Sequence, residues 1–376
     1  MDFAPTEEQV ELAGLARGIL ADHATPERLR ALEETGRDRH DPELWSALAG
    51  AGVLSAALPS TVGGDDLGLL ERCSVLAELG RAVAPAAYLS TIAVAAAGLA
   101  RFGSPQQRTD YAAPAATGKH LLTAALDAQV TAEPTPTGGW RLTGTAAAVP
   151  SAPAASALLL PAIQSTQSIQ SVQQGDSVTS VFLVEATDPG VTIARQRTVD
   201  LDDAGLVELD SVELPADRLV GDQEALGWLR AHATVGLCAH QLGVVERALE
   251  LTAEYARQRE QFGKPIGAFQ AVAQRLADGY VDVEAIRLTM WQAAWLLATT
   301  GPGDPETEAA IATAKFWAAD AGHRVAHTAV HVHGGVGIDV DHPLHRYFIA
   351  AKRNEFALGA ATEQLVRLAD ALLGDG

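Results

Sequence analysis

Between Arg257 and Gln270 the chain reads RQREQFGKPIGAFQ, a dense group of charge, aromatic and glycine between two long apolar runs. Arg259 stands two residues ahead of Gln261, Phe262 and Gly263. That order places a rigid fork of N–H donors beside an aromatic ring and a flexible bend, a set that suits the paired oxygens of a pyrophosphate with a flat ring alongside. Further on, HGGVG (His333–Gly337) follows a helical stretch. Such a run by itself is a helix C-cap and turn. Two adjacent glycines also let a backbone approach a ligand closely and offer free N–H groups to phosphate. His323 and His327 lie four apart on a helix, with His331 and His333 beyond them. Catalytic zinc needs a third ligand, and neither the HExxH pattern nor a nearby cysteine supplies one, so these histidines are read as helix-face and packing residues and no metal site is assigned. The GxSxG nucleophile and the phosphate-binding P-loop are both absent.

With 376 residues the chain can bury a large core and divide into two or three domains. A net charge of −20 is unsuited to nucleic acid or to anionic membrane surfaces, although a local arginine cluster can still hold a phosphate-bearing small molecule. The chain has no uncharged run of about 18 apolar residues, and MDFAPTEEQ is acidic and unlike a secretory signal. Cys73 and Cys238 are too few for a disulfide framework, and both are expected to be reduced in a cytoplasm.

The elements that must position these residues fall into three stretches. Residues 1–117 read as successive helices: Thr6 and Gln9 form a capping-box pattern, Pro42 suits the first turn of a helix over Asp41–Ala51, and another helix is expected over Leu69–Gly80. Pro59–Gly68 breaks the pattern as a loop, and helical text resumes over Pro85–Phe102 and after Pro105. Residues 118–222 change to short apolar runs at His120–Leu126, Trp140–Thr145, Ala157–Pro161, Val178–Val184, Val191–Ile193 and Gly205–Leu214. Gly, Pro, Asp and Ser separate them, which predicts an all-β insert, barrel or sandwich. The polar, low-complexity Ile163–Ser177 is expected to be a mobile hairpin extension. Residues 223–376 return to helical period over Glu224–Gln258, Ala268–Thr299, Pro305–His331 and a final helix from about His345 to Leu373, an antiparallel four-helix bundle. The expected class is therefore α+β, mostly α.

RQREQFGKPIGAFQAVAQRLAD, followed by HVHGGVG and then HPLHRYFIAAKRNEFALGAATEQ, resembles the C-terminal bundle of the FAD-dependent acyl-CoA dehydrogenases. MDFAPTEEQ and the α–β–α order extend the resemblance over essentially the whole chain. More narrowly, the chain is similar to one subunit of the actinobacterial heteromeric (α2β2) dehydrogenases that act on steroid side-chain CoA thioesters. The resemblance implies FAD shared at a subunit interface. This chain would donate Arg259, Gln261, Phe262, Ile266, Phe269, Gln270, His331, Gly334 and Gly335 to the pyrophosphate and adenosine, with His331 in place of a common glutamine. It also implies a homologous catalytic partner that holds the acyl-CoA, and an electron-transfer acceptor.

The rest of that site departs from the family. FALGAAT (Phe356–Thr362) stands where a YEGT-type loop is usual, so Leu358 takes the place of the catalytic glutamate and Ala360 that of a threonine. The alternative base position on the first bundle helix falls at Ala233. Glu355 and Glu363 are the nearest acids and are out of register, since each helical residue turns about 100°. The flavin-cradling text is replaced by LDAQVTAEPTPTGG (Leu126–Gly139), and the strand that backs the ring by AAAVPSA (Ala146–Ala152). The family's α,β-dehydrogenation needs a carboxylate at the α-proton, and general-base assistance alone is worth roughly 10²–10⁴-fold. The expectation is a subunit that lacks its own base and completes the FAD site of a partner. The alternatives are a self-sufficient homomeric enzyme using Glu355 or Glu363, and a flavin-free scaffold or regulatory protein.

Overall fold

The structure is a computed structural model and describes residues 3–34, 40–164 and 178–373. The first helix, α1 (Glu7–His23), begins on the expected capping box: Gln9 N–H donates to Thr6 Oγ1 at 3.2 Å and Thr6 N–H to Gln9 Oε1 at 2.7 Å. After α2 (Pro26–Glu34), α3 (Pro42–Gly50) starts at Pro42 with the Asp41 carboxylate accepting the N–H groups of Glu43 and Leu44. Then come α4 (Val53–Ala56) and α5 (Leu69–Arg81), with a 3₁₀ turn at Ser60–Val62 inside the expected loop. The helical text from Pro85 onward becomes a π-helical stretch (Leu89–Ala96) that runs into α6 (Ala97–Phe102). After Pro105, α7 (Pro105–Gln107) and α8 (Ala113–Ala116) flank a second π-helical segment.

The middle of the chain forms one eight-stranded sheet. Its strands are β1 (Leu122–Ala124), β2 (Gln129–Pro134), β3 (Trp140–Pro150), β4 (Ala157–Gln164), β5 (Thr179–Glu185), β6 (Val191–Arg197), β7 (Asp203–Leu214) and β8 (Leu219–Gly221). They lie in the order β6-β7-β3-β2-β4-β5-β8, with β1 parallel to β4. The register sets Leu142 opposite Val212 and Leu158 opposite Val184, so alternate side chains of each strand enter one core around Phe182, Leu160 and Val130. The strands β2 and β8 are absent from the sequence expectation. In β2 only Val130 and Ala132 are apolar and buried, too weak a period-2 signal to stand out beside its polar neighbours. Residues 165–177 of the polar stretch lie outside the described residues.

The bundle helices are α9 (Gln223–Gln258), α10 (Gln270–Thr299), α11 (Pro305–His333), α12 (Leu344–Phe356) and α13 (Ala361–Leu373). A short hairpin, β9 (Glu260–Gln261) and β10 (Lys264–Pro265), joins α9 to α10. The expected single terminal helix is divided in two: Leu358 (φ 59°) and Gly359 (φ 94°) leave the helical region, and α13 starts anew at Ala361. Apolar, helix-favouring neighbours conceal this break in the sequence. No helix among the described residues is long and apolar enough to cross a membrane.

The chain forms two compact units. One contains Gly36–Gly68 and Pro85–Ala233, with the sheet. The other contains Met1–Thr35, Leu69–Ala84 and Thr234–Gly376, with the bundle. In the bundle unit, α5 approaches α9 backbone to backbone, and a Cβ on Gly243 would sit 1.9 Å from the Ala77 carbonyl oxygen. Arg81 seals the same contact, donating to Glu246 at 2.6 Å and to Glu250 at 2.9 Å, while Arg287 on α10 reaches Glu246 at 2.5 Å. Arg346 and Glu33 form a bidentate pair at 2.8 Å, with Arg346 almost wholly buried. Gly243→Ala must push α5 from α9 and is expected to destabilise the chain by roughly 1–3 kcal/mol, the usual cost of overpacking. Thermal unfolding of the variant beside the parent protein checks this.

Candidate functional site

The α9 helix ends at Gln258, and Arg259 N–H still donates to the Tyr255 carbonyl at 2.8 Å, which places Arg259 directly on the helix end. The hairpin then turns on Phe262 (φ 53°) and Gly263 (φ 76°), two consecutive left-handed residues of the kind a tight primed turn requires. Glycine adopts this conformation freely, but in an L-residue it is disfavoured by roughly 1–2 kcal/mol. Phe262 is also 92% exposed. The chain therefore accepts both backbone strain and a bare phenyl ring in order to hold Phe262 outward. Phe269 meets it edge to face at 6.1 Å, and the Lys264 ammonium sits 4.3 Å from the centre of the Phe269 ring. Ile266 N–H donates to the Arg259 carbonyl at 2.8 Å and closes the hairpin onto the start of α10, where Gln270 is the first residue and is exposed. Gln261 is exposed too, its amide donating to the Glu260 carbonyl at 2.8 Å.

The glycine turn lies at the end of α11. His331 is exposed in the last helical turn, and Gly334 caps the helix at φ 63°, ψ −141°, a region essentially open only to glycine. A Cβ on Gly335 would meet nothing within 4 Å, and Gly335 is exposed. Its lack of a side chain serves no internal packing, and the backbone there faces open space. His333 is 4% exposed and stacks on Tyr255 of α9, with ring centroids 4.3 Å apart and planes 21° apart. The hairpin and the glycine turn, some 70 residues apart in sequence, are thereby brought to one end of the bundle unit.

Between α12 and α13 the chain bends at Leu358 and Gly359, with no acid at the apex. Leu358 is half-buried and left-handed, and the Gln364 amide donates to the Leu358 and Gly359 carbonyls at 3.0 and 3.2 Å. Lys315, fully buried on α11, donates to the Glu355 carbonyl at 3.2 Å and so caps the C-terminal end of α12, while burial lowers the pKa of its ammonium. Nothing in the sequence singles out Lys315 except its isolation in an Ala-rich run. Both nearby acids are engaged. The Glu355 carboxylate accepts from Lys352 at 2.6 Å and lies 3.1 Å from His323 Nδ1, and Glu363 pairs with Arg367 at 2.6 Å. Ala233 is buried in α9. Among the described residues no group of three or more His, Cys, Asp or Glu is arranged to hold a metal ion.

In the sheet unit, Ala146–Ala152 ties several backbone groups to its neighbours. The β3 strand bulges between Ala146 and Val149, with Ala148 (φ 52°) donating its N–H to Gln196 Oε1 at 2.6 Å. Ser151 N–H donates to the Asp203 carbonyl at 2.6 Å, and Thr123 to the Pro150 carbonyl at 2.5 Å. Leu126–Gly139 is occupied mostly by β2 and its turn. Cys73 and Cys238 are buried and unpaired, and burial pushes both thiols up to about 12.

The chain belongs to the acyl-CoA dehydrogenase family. The family's C-terminal domain matches residues 224–373 and its N-terminal domain residues 6–119. The chain is 48% identical to acyl-CoA dehydrogenase FadE27 of Mycobacterium tuberculosis over 98% of each chain. Its fold is similar to a chain in the ChsE4-ChsE5 complex from Mycobacterium tuberculosis, with TM-score 0.93 and 46% identity over 100% of both chains. It is similar also to a chain of a Tcur3481-Tcur3483 steroid ACAD variant, with TM-score 0.88, 42% identity and 98% of each chain covered.

His333 and His342 have pKa values lowered from about 6.5, chiefly by burial. As pH falls through 6.5 the unfolded chain takes up these protons before the folded one, so stability is lost on acidification. The thermal midpoint is expected to be lower at pH 5.5 than at pH 7.5, and to fall less steeply in His333→Phe. A pH series of unfolding curves measures both.

Proposed function

We propose that the chain is the cofactor-completing subunit of a heteromeric acyl-CoA dehydrogenase, acting with a homologous, glutamate-bearing partner on acyl-CoA thioesters of the steroid side-chain class. The observation that carries this reading is the pairing of an outward, strained Phe262 beside Arg259 with a leucine at the base position. A homomer that shares FAD between its subunits would expose the same hairpin, so it is Leu358 that sets this reading apart from the self-sufficient alternative. A scaffold that had abandoned the cofactor has no reason to sustain its strain.

The residues fit one half of an FAD site. Arg259 would donate a forked pair of hydrogen bonds to the diphosphate, with the His331 imidazole as a further donor and the exposed, side-chain-free turn at Gly334 and Gly335 allowing its close approach. Phe262, Ile266 and Phe269 would offer apolar and aromatic surface to the adenosine end, and Gln261 and Gln270 amide contacts at its edge. When bound, FAD supplies the acceptor for the electron pair lost in α,β-dehydrogenation. This chain contributes no base: Leu358 can take no proton, and the carboxylates of Glu355 and Glu363 are already tied to cations. The partner must therefore hold the thioester, polarise its carbonyl and remove the α-proton. The steroid class and the heteromeric state draw support from the complexes to which the fold is similar.

The test is co-expression with a glutamate-bearing homologue taken from the same source by co-purification. Arg259→Ala in this chain is expected to weaken FAD retention by the complex roughly ten- to a hundredfold, the loss of charge-assisted hydrogen bonds. Unchanged flavin content would refute the reading. Glu355→Gln and Glu363→Gln are expected to leave turnover within about twofold of the parent, far short of the loss that removal of a base produces. The chain purified by itself should show no acyl-CoA-dependent dye reduction, and such activity would favour the self-sufficient alternative.

A further inference from the structure

The Tyr255–His333 stack joins two segments that the sequence separates widely, and none of the contacts assigned above uses it. Tyr255 lies in the last turn of α9 and its carbonyl accepts Arg259 N–H at 2.8 Å, so a shift of Tyr255 is a shift of the hairpin root. His333 is the last residue of α11, directly before Gly334. Its ring is fixed on several sides. Tyr255 covers one face at 4.3 Å, His342 approaches at 5.2 Å, and Nδ1 lies 2.9 Å from the Ala329 carbonyl, an acceptor that requires a proton on that nitrogen. A Cβ on Gly337 would stand 3.1 Å from the His333 Cβ, so the turn itself is moulded against this residue. A buried imidazole that makes one backbone hydrogen bond and one ring stack gains little that leucine would not supply to a core. Its distinctive contribution is a flat, directional contact between two helix ends.

We propose that His333 and Tyr255 are positioning residues: their stack sets the spacing between the Arg259 hairpin and the Gly334–Gly335 turn, and so fixes the geometry with which this chain meets the diphosphate of FAD. The inference rests on the cofactor-completing role proposed above.

The test uses the complex of the full chain with its glutamate-bearing partner, stripped of flavin and titrated with FAD, with affinity read from quenching of flavin fluorescence. His333→Ala and Tyr255→Ala are each expected to weaken FAD binding roughly tenfold, and the double variant no more than either alone, because both remove one contact. His333→Phe and Tyr255→Phe keep the flat face and are expected to restore affinity to within about threefold of the parent. Parental affinity in His333→Ala, additive losses in the double variant, or failure of His333→Phe to rescue would each overturn the proposal. If His333→Ala does not assemble, His333→Leu keeps the bulk and removes the flat face: weakened FAD binding with an unchanged thermal midpoint supports the clasp, and parental affinity overturns it. Arg259→Ala separates the two levels. No effect of Arg259→Ala removes the cofactor-completing role itself, whereas an effect there with none in the His333 variants removes only the clasp.

Discussion

The bundle unit is organised by where its long helices end. The α9 helix runs 36 residues and α11 runs 29, and their C-terminal ends arrive at one pole, where α10 begins. That coincidence is supported away from the ends: α5 meets α9 at Gly243, the Arg81–Glu246–Arg287 bridge joins α5, α9 and α10, and Gln241 of α9 donates to the Ala318 carbonyl of α11 at 3.2 Å. A backbone-to-backbone approach leaves no slack for sliding, so the axial position of each helix is fixed far from the pole. Everything displayed at that end inherits its placement from this packing.

The pole combines features that are costly in isolation. A phenylalanine in left-handed conformation lies bare to solvent, a glycine occupies dihedrals closed to other residues, and a neighbouring glycine has open space over its Cα. Strain of this kind persists only where the surroundings over-determine it, and here they do so through the hairpin hydrogen bond from Ile266 to Arg259 and the ring stack behind it. The bend at Leu358 has the opposite character: its carbonyl accepts from Gln364, the Glu355 carbonyl accepts from Lys315, and the Glu355 carboxylate is paired with Lys352.

Much of this was legible in the residues themselves. The capping box at Thr6, the proline at the start of α3 and the change of period near residue 118 each have a local physical cause, and each element appears where that cause stands. What escaped notice depends on distant contacts. The break at Leu358 hides in helix-favouring text because it is stabilised by Gln364, six residues away, and by a lysine on another helix. The β2 strand hides because two apolar residues make no convincing alternation, and β3 decides its pairing. Arg259, Phe262 and the glycine run were visible as types and spacing, whereas the exposure of Phe262 and the stack of Tyr255 on His333 exist only once α9 and α11 are packed.

Leu358 separates what a side chain contributes from what a backbone contributes. Its side chain can accept no proton, yet its backbone is held in a left-handed dihedral and the Gln364 amide ties down its carbonyl. The angle at which α13 leaves α12 depends on the backbone and is indifferent to the side chain. A position can thus drift freely in the alphabet of residues while staying fixed in the alphabet of angles. At such a bend a substitution that keeps the dihedral keeps the course of the chain from α12 into α13, whatever chemistry its side chain brings.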